Sequence, residues 1–388
     1  MSEIQKHTKP NVPNLRFPGF EGEWEQHFLS EYLEFKNGLN PSAKSFGDGI
    51  KFISVMDILN NPFITYDCIR SSVNATEREK QEFSVGYGDI LFQRSSETLE
   101  DVGRANVYLD SRAAVFGGFT IRGKKKGEYN PLFFKYLLDS PTARKRVIVK
   151  GAGAQHFNIG QEGLSKVALS LPSIQEQNRI AELLNLLDQR IAIQNKVIER
   201  YQSLIRALYR KMMPNGDVEA VSLGRLVKVC KGKQVNGVLL SDTGPYYVMN
   251  GGITPSGYYD TFNTPPGTIS ISEGGNSCGY VQFNDDPFWS GGHCYTLLEP
   301  NTAIVNYKYL FYYLKSLQDK IMALRIGSGL PNIQKKDLEK FPLLLPSLER
   351  QAQLAEVFEG LCHVEENETD YQDLLCKQKQ FLLASVLI

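Results

Sequence analysis

The sequence predicts an α+β protein with two similar mixed α/β globules in tandem, each followed by a long helix. Three observations predict this fold class: an internal repeat, strand-like and glycine-rich segments in each copy, and a heptad pattern in the segment that closes each copy. We expect the two long helices to pair as an antiparallel coiled coil, with pseudo-twofold symmetry between the copies.

The internal repeat is clearest at an offset of 174 residues. The aligned pairs at this offset are Asn158-Ile159 with Asn332-Ile333 and Leu171-Pro172-Ser173 with Leu345-Pro346-Ser347. Near the start of each copy, residues 29–38 (LSEYLEFKNG) resemble residues 223–232 (LGRLVKVCKG), so the first copy is longer by about twenty residues. Because the same signals recur in the same order, the chain is interpreted as a tandem duplication.

Each copy begins with a segment rich in glycine, aromatic and β-branched residues. Its strand-like runs include 89–92 and 267–271, which glycine and proline turns separate from their neighbours. A short aromatic helix is predicted to follow, at 131–139 in the first copy and 307–316 in the second.

A Leu-Pro-Ser sequence precedes each long helix. Pro172 and Pro346 are predicted to end a strand, and Ser173 and Ser347 to cap the helix that follows. In the first copy we expect Glu176 to complete a capping box with Ser173.

The two closing segments have heptad patterns typical of paired helices. Segment 174–213 would form a helix about 60 Å long, and segment 348–387 matches it in length. The predicted seam is Ile180, Leu184, Leu187, Ile191, Gln194, Ile198, Tyr201, Ile205 and Leu208 on the first helix, and Leu354, Phe358, Leu361, Leu375 and Leu382 on the second.

The charges of the two helices favour pairing with each other over self-association or packing on their own globules. Residues 173–213 carry seven basic and four acidic residues, whereas residues 347–388 carry three basic and eight acidic ones. If the helices are antiparallel, Gln194 and Lys196 could face Glu365 and Glu368.

These patterns predict five segments. They are a flexible N-terminal segment (1–13), a first globule (14–172), a central spacer helix (173–213), a second globule (214–346) and a C-terminal spacer helix (347–388). No apolar run approaches the roughly 20 residues that a membrane span needs, so we expect a cytoplasmic protein with no membrane partner.

Known catalytic and metal-binding motifs are not found in the sequence. It has no phosphate loop, nucleophile elbow or zinc-binding helix motif, and its six cysteines and five histidines have no metal-ligand spacing. His293 is interpreted as a strand-edge residue rather than a catalytic one. We therefore expect neither catalysis nor a metal site in this chain.

Glycine-rich loops and basic clusters are candidates for contact with a polyanion and with base edges. A solvated hairpin tip is an equal alternative for the lysine run 124–126, and a tight turn is an alternative for loop 151–158. The candidate DNA-binding residues are Arg94, Ser95, Lys124, Lys125, Lys126, Arg144, Lys150, Gln155, His156 and Asn158 in the first globule, and Lys231, Lys233, Gln234, Asn276, Ser277, Asn332, Lys335 and Lys336 in the second.

With these features, the sequence resembles the DNA-specificity subunits of type I restriction-modification systems. The similarity includes the opening segment 13–25 (PNLRFPGFEGEWE) and the closing motifs 327–338 (GSGLPNIQKKDL), 345–351 (LPSLERQ) and 171–177 (LPSIQEQ). Each motif is weak alone, but their order, repeated twice with a long helix after each copy, is specific and covers nearly the whole chain.

The resemblance implies two target-recognition domains that read the two different halves of a split double-stranded DNA sequence, held apart by paired helices. It also implies that the chain docks two modification (methyltransferase) subunits, which bind S-adenosylmethionine, and associates with restriction/translocase subunits, which use ATP and Mg. By this resemblance the chain itself binds no cofactor. The alternatives are a stand-alone DNA-modifying enzyme and a coiled-coil scaffold without a DNA role.

Overall fold

The computed structural model describes residues 11–153, 156–211, 220–327 and 329–388. Its contacts divide the chain into unit 1, Met1–Asn195 with Tyr371–Ile388, and unit 2, Lys196–Asp370. Each long helix therefore contributes one part to each unit, so the predicted spacer helices are not separate from the globules. In the described ranges, every helix is too short or too polar to cross a bilayer.

Unit 1 consists of short strands and helices before the first long helix. Its strands are β1 (Glu25–Phe28), β2 (Leu33–Asn37), β3 (Phe46–Ile53), β4 (Ser71–Val73), β5 (Ser84–Val85), β6 (Ile90–Gln93), β7 (Ser95–Ser96), β8 (Ala105–Val107), β9 (Ala114–Phe116), β10 (Thr120–Lys125), β11 (Phe157–Asn158) and β12 (Ala168–Leu171). Its helices are α1 (Leu29–Tyr32), α2 (Val55–Asn60), α3 (Glu77–Glu82), α4 (Pro131–Asp139), α5 (Pro141–Ile148), α6 (Gln161–Ser165) and the first part of α7 (Ile174–Lys211).

Unit 2 has a similar order of elements, but fewer of them. Its strands are β13 (Ala220–Ser222), β14 (Lys228–Lys231), β15 (Tyr246–Met249), β16 (Tyr258–Tyr259), β17 (Thr268–Ser272), β18 (Val281–Asn284), β19 (Trp289–Ser290), β20 (Cys294–Leu298) and β21 (Pro342–Leu344). Its helices are α8 (Leu223–Leu226), α9 (Tyr307–Ser316), α10 (Gln318–Met322), α11 (Lys335–Glu339) and the first part of α12 (Leu348–Val386). The predicted aromatic helices coincide with α4 and α9. Positions 212–213 of the first predicted long helix lie outside the described residues.

A four-stranded antiparallel sheet is the centre of each unit. The strand order is β2-β10-β6-β8 in unit 1 and β14-β20-β17-β18 in unit 2. A second sheet lies beside it in each unit, and the parallel pair β3–β9 of unit 1 matches the parallel pair β15–β19 of unit 2. The two units thus share the four-stranded sheet and the parallel pair beside it, which confirms the predicted duplication.

Two glycines explain why the first motif of the repeat is retained. A Cβ atom on Gly38 would lie 2.1 Å from the carbonyl oxygen of Gly117, and one on Gly232 would lie 2.2 Å from that of Gly291. Real Cβ atoms do not approach a backbone oxygen this closely, so both positions require glycine.

The aromatic helix of each unit fills the core under the sheet. In unit 1, Phe133, Phe134 and Leu137 of α4 are buried with Trp24 and with residues of both long helices. In unit 2, the matching residues of α9 are buried in the same way. Because the start of each long helix belongs to a globule's core, its position is set by apolar packing as well as by the chain connection.

Helices α7 and α12 run antiparallel in unit 1. Lys379 and Asp188 form an ion pair of 2.5 Å, and the Gln372 side chain donates to Asn195. A step of seven residues forward along α7 is matched by seven residues backward along α12, which is the register of an antiparallel coiled coil.

The same register recurs in unit 2. Gln202 Nε2 donates to Glu365 Oε1 at 2.9 Å, and Tyr209 stacks on Phe358 with ring centroids 4.8 Å apart. Every residue of the predicted seam is buried or half-buried. Glu365 thus lies opposite Gln202, about two turns of α7 beyond Gln194.

The N-terminal segment is attached to unit 1. The backbone N–H of Trp24 donates to the carbonyl oxygen of Asn11 at 2.8 Å, and Ser170 Oγ donates to Asn11 Oδ1 at 2.9 Å. Asn11 is therefore held in place, whereas residues 1–10 of the predicted flexible segment 1–13 lie outside the described residues.

Glu176 does not complete the predicted capping box. Ser173 Oγ accepts from the Glu176 N–H at 3.4 Å, but the Glu176 carboxylate binds the Arg16 guanidinium through two contacts of 2.8 Å. The Glu176 side chain is only 2% exposed, and a buried carboxylate needs a cationic partner more than a backbone donor.

A buried glutamine fixes the first turn of each long helix. In unit 1, Gln177 Oε1 accepts from the Asn130 N–H at 3.1 Å, and Nε2 donates to the Pro172 carbonyl oxygen at 3.0 Å. Asn130 Oδ1 in turn caps α4 by accepting from the Phe133 N–H. One amide therefore joins α7, the Leu-Pro-Ser segment and the aromatic helix.

Unit 2 contains the same junction. Gln351 Oε1 accepts from the Asn306 N–H at 2.8 Å, and Nε2 donates to the Pro346 carbonyl oxygen at 2.8 Å. Gln351 is 1% exposed and Gln177 is 3% exposed, so neither junction is open to water.

We expect Gln177→Leu to destabilise unit 1 by about 2–4 kcal/mol, because it leaves a buried N–H and a buried carbonyl oxygen without their partner. Guanidinium titration of the full chain measures the change. Gln189→Leu, at an exposed position of the same helix, is the matched control and should leave the midpoint nearly unchanged. Equal shifts in the two variants would contradict the structural role of Gln177.

Candidate nucleic-acid interface

In unit 1, the loop after the central strand β6 is joined to the glycine-rich loop that the sequence offers as a DNA contact. The N–H of Arg94 donates to the carbonyl oxygen of Phe119 at 2.9 Å, and the carbonyl oxygen of Arg94 accepts from the N–H of Ile159 at 2.9 Å. Loops 93–96 and 151–158 therefore lie side by side at one end of the sheet.

Several predicted residues meet there. Ser95 Oγ donates to Asn158 Oδ1 at 2.5 Å, and Asn158 Nδ2 donates to the His156 carbonyl oxygen at 3.3 Å. Arg94 is half-buried and His156 is exposed, while Gln155 lies outside the described residues. The structure thus brings together Arg94, Ser95, His156 and Asn158.

A cavity of about 780 Å³ opens beside these loops. Its wall includes Gln93, Ser95, Ser96, Arg104 and Asn106. Gln93 is 6% exposed; its Nε2 donates to the Ser95 carbonyl oxygen, and its Oε1 has no hydrogen-bond partner among the described residues. A polar cavity with an unused acceptor is suited to the donors on base edges.

Unit 2 has the same backbone arrangement. The N–H of Glu273 donates to the carbonyl oxygen of His293 at 2.9 Å, and the carbonyl oxygen of Glu273 accepts from the N–H of Ile333 at 2.8 Å. In the loop that follows Glu273, Asn276 is exposed and Ser277 is half-buried. Loops 93–96 and 273–277 are therefore equivalent in the two units.

The glycine-rich loop of unit 2 also reaches this edge. Gly275 has φ +77°, in the left-handed region that favours glycine, and its N–H donates to the Pro331 carbonyl oxygen at 3.0 Å. Asn332 is exposed, and its Oδ1 accepts from Gln334 Nε2 at 2.8 Å. Asn332 thus lies beside the loop that carries Asn276 and Ser277.

A charged cluster lines the 590 Å³ cavity of unit 2. Glu273 Oε1 is 2.5 Å from Lys231 Nζ and accepts from the Tyr295 hydroxyl at 3.2 Å, while His293 Nδ1 lies 3.4 Å from Glu273 Oε2. Burial, followed by the charge of Glu273, raises the pKa of Tyr295, so its hydroxyl remains a donor. The side chains of Lys231 and His293 are 50% and 62% exposed, so both reach solvent.

Sequence reasoning missed Glu273 and interpreted His293 as a strand-edge residue. His293 does lie beside a strand, at the residue before β20, but its side chain belongs to the cavity wall. One feature of the sequence could have identified Glu273. It directly follows the central strand of the second copy, as Arg94 directly follows the central strand of the first. Among the described residues, no group of three or more His, Cys, Asp or Glu could hold a metal ion.

The lysine run 124–126 lies away from these loops. β10 begins with Thr120 beside Gln93 and ends with Lys125, about 16 Å away at ~3.3 Å per residue. Lys125 Nζ donates to the Tyr129 carbonyl oxygen at 3.1 Å and lies 4.8 Å from the Tyr129 ring. Lys124, Lys125 and Lys126 are therefore not part of the same surface as Arg94, and Lys125 is partly used inside the unit.

The guanidinium of Arg144, a predicted DNA contact, is hydrogen-bonded within unit 1. Its Nη2 donates to the carbonyl oxygens of Glu100 at 2.8 Å and Val102 at 2.7 Å. Burial is the main cause that lowers the pKa of Arg144. The guanidinium is thus committed to the loop before β8, whereas Lys150 remains exposed.

The remaining basic candidates of unit 2 lie on the surface. Lys233 and Gln234 are exposed, and the Lys233 carbonyl oxygen accepts from Trp289 Nε1 at 2.8 Å. Lys335 lies 3.5 Å from Glu339 one turn along α11, and Lys336 beside it is exposed. These residues are accessible to solvent, but they do not belong to the charged cluster around Glu273.

Comparison with known proteins gives one family. A family model described as the type I restriction modification DNA specificity domain matches residues 21–200 and again 215–372. A protein assigned as a type I specificity subunit in Mycoplasma pneumoniae is 36% identical over 146 residues, which are 37% of this chain and 39% of that protein.

Two further relatives carry similar descriptions. A Mycoplasma genitalium protein assigned as a type I specificity subunit is 36% identical over 31% of this chain and 32% of its own length. A Methanocaldococcus jannaschii protein assigned as a type I restriction enzyme specificity subunit is 23% identical over 99% of this chain and 97% of its own length. The chain thus spans less than two fifths of the two Mycoplasma proteins and nearly all of the archaeal one.

Solved structures share the fold. The crystal structure of a type I restriction-modification S subunit from M. genitalium matches with a TM-score of 0.66 and 17% identity, over 97% of this chain and 99% of that one. A structure determined for the assembly and conformational transition of a type I restriction-modification system matches with a TM-score of 0.59 and 16% identity, over 96% and 98%.

We expect Arg144→Met to destabilise unit 1 by about 2–3 kcal/mol, since it removes charge-assisted hydrogen bonds to two carbonyl oxygens. Thermal unfolding followed by circular dichroism measures the effect. Lys145→Met removes the same charge from the exposed neighbour and should leave the transition nearly unchanged. Equal stability of the two variants would return Arg144 to the DNA-contact candidates.

Proposed function

We propose, because the chain belongs to the type I restriction modification DNA specificity family, that it is the DNA-recognition subunit of a type I restriction-modification complex. Its role is to select the DNA sequence on which the complex acts. We assign no catalytic step to this chain.

The observation that carries this proposal is a single backbone arrangement that occurs twice with different side chains. The loop after the central strand is bonded to the Asn-Ile segment through Arg94 in unit 1 and through Glu273 in unit 2. Base edges are distinguished by the pattern of donors and acceptors presented to them. Two such loops with different polar groups suit a target whose two halves differ.

The family also supports a set of partners. We propose that the chain docks two modification subunits, which bring S-adenosylmethionine, and that restriction subunits bring the ATP-dependent motor. We further propose that the paired helices α7 and α12 set the length of the unread gap between the two half-sites, because a helix has a fixed rise per residue.

The methylated motifs of the host test this function. In cells that contain the cognate modification subunits, deleting the gene for this chain should abolish methylation of one split motif and leave all other motifs unchanged. Single-molecule sequencing of genomic DNA with and without the gene reads this directly. An unchanged set of motifs would support a scaffold without a DNA role, and methylation by the purified chain alone would support a stand-alone enzyme.

A module exchange tests whether each unit reads its own half. Replacing residues 14–187 by the corresponding segment of another family member should change one half of the motif and leave the other half intact. The exchange includes residues 173–187 because Ile180, Ala181 and Leu184 belong to the same core as Trp24. If both halves changed, the two units would not be independent readers.

A further inference from the structure

The two units present different chemistry at one equivalent backbone position. Arg94 directly follows the central strand β6, and Glu273 directly follows the central strand β17. Each donates its N–H to a carbonyl oxygen just before the next strand of the sheet, and each accepts from the N–H of the isoleucine in the Asn-Ile segment. A cation in one unit thus occupies the place of an anion in the other.

The neighbours of this position also differ in kind. By strand register, Asn37 pairs with Ile121 in unit 1 and Lys231 pairs with Tyr295 in unit 2. The carbonyl groups that receive the N–H bonds belong to Phe119, which is 71% exposed, and to His293. The same backbone arrangement therefore holds Asn37, Arg94 and Phe119 in unit 1. In unit 2 it holds Lys231, Glu273 and His293.

Glu273 has an acceptor atom that no described residue uses in a hydrogen bond. The residue is 7% exposed, and its Oε1 receives Lys231 and Tyr295. Its Oε2 is buried and, among the described residues, lies 3.4 Å from His293 Nδ1 without forming a hydrogen bond. A buried carboxylate oxygen without a donor is unfavourable for folding. Stability alone therefore does not account for a glutamate in this cavity wall.

We propose that Glu273 is a specificity-determining residue of unit 2, whose Oε2 accepts a hydrogen bond from the exocyclic amino group of a cytosine or an adenine. This inference rests on the proposed function. An amino group supplies the donor that Oε2 lacks, and carboxylates accept from base amino groups in the major groove. The His293 side chain is 62% exposed, so its rotation toward solvent would open the path to Oε2.

Arg94 supplies the opposite chemistry in unit 1. A guanidinium is a donor only, and it pairs with the O6 and N7 acceptors of guanine. Among the described residues, the Arg94 side chain makes one hydrogen bond, from Nη1 to the Gly118 carbonyl oxygen, and this bond is long at 3.4 Å. The same frame thus places an acceptor in one unit and a donor in the other.

The test uses the complex of this chain with its modification subunits. In Glu273→Gln, one acceptor oxygen is replaced by a donor amide of the same shape. We expect methylation at the native motif to fall on the order of tenfold, and one base pair in the half-site of unit 2 to become relaxed, while the other half is unchanged. Asp242→Asn removes the same charge at an exposed loop position of unit 2 and should leave motif and rate unchanged.

Base analogues identify the donor. For each adenine and cytosine of the unit 2 half-site, DNA is prepared with a purine that lacks the 6-amino group or a pyrimidine that lacks the 4-amino group. One such substitution should slow the wild-type complex on the order of tenfold and should not slow Glu273→Gln further. If the purine substitution slows methylation, the donor is adenine, and if the pyrimidine substitution does, the donor is cytosine. Wild-type insensitivity to every substitution would overturn the proposal.

A double variant separates reading from support of the fold. Lys231→Gln/Glu273→Gln removes both charges, so no lysine remains without its partner. A relaxed motif in the folded double variant supports the proposal. The native motif at the wild-type rate, or loss of folding in both variants, would show that Glu273 only supports the cavity wall. If the wild-type complex methylated no split motif, the proposed function itself would fail, before any variant is compared.

Discussion

A buried glutamine amide at the first turn of each long helix joins that helix to its globule. Gln177 and Gln351 each accept from the N-cap residue of an aromatic helix and donate to the proline carbonyl that ends the preceding strand segment. Three elements thus share one side chain in a place without water, where an unmade hydrogen bond is costly. The direction in which α7 and α12 leave their globules depends on this junction, and so does the antiparallel register seen within each unit.

The loops after the two central strands follow a related principle. Main-chain hydrogen bonds fix the positions of Arg94 and Glu273, while the side chains at these positions differ. The hydrogen bonds of Arg94 and Glu273 involve only main-chain atoms, so they are indifferent to whether the side chain is a cation or an anion. Glycine is required at Gly38 and Gly232, where two backbone segments approach closely, but not at Arg94 and Glu273. Duplicated modules can therefore diverge in what they read while their folds stay alike.

The basic residues do not all lie on one surface that could face DNA, because several of them are bonded within the protein. The chain is neutral, with 43 basic and 43 acidic residues. Arg144 serves the interior, Lys125 contacts Tyr129, and Lys231 is paired with Glu273. A basic cluster in the sequence therefore does not by itself mark a DNA contact, because a long cationic side chain satisfies buried carbonyl groups as readily as it satisfies phosphate.

The sequence by itself determined the duplication, the two aromatic helices and the two long helices, since repeats, periodicity and proline positions are local signals that need no partner. It also predicted the strand-like runs 89–92 and 267–271, which come shortly before Arg94 and Glu273. Only the tertiary structure decided that Glu176 binds Arg16, that Glu365 binds Gln202, and that Glu273 lies in a cavity with Lys231 and His293. These contacts join residues far apart in the chain, and the choice among competing partners depends on burial and geometry that arise only when the strands and helices pack.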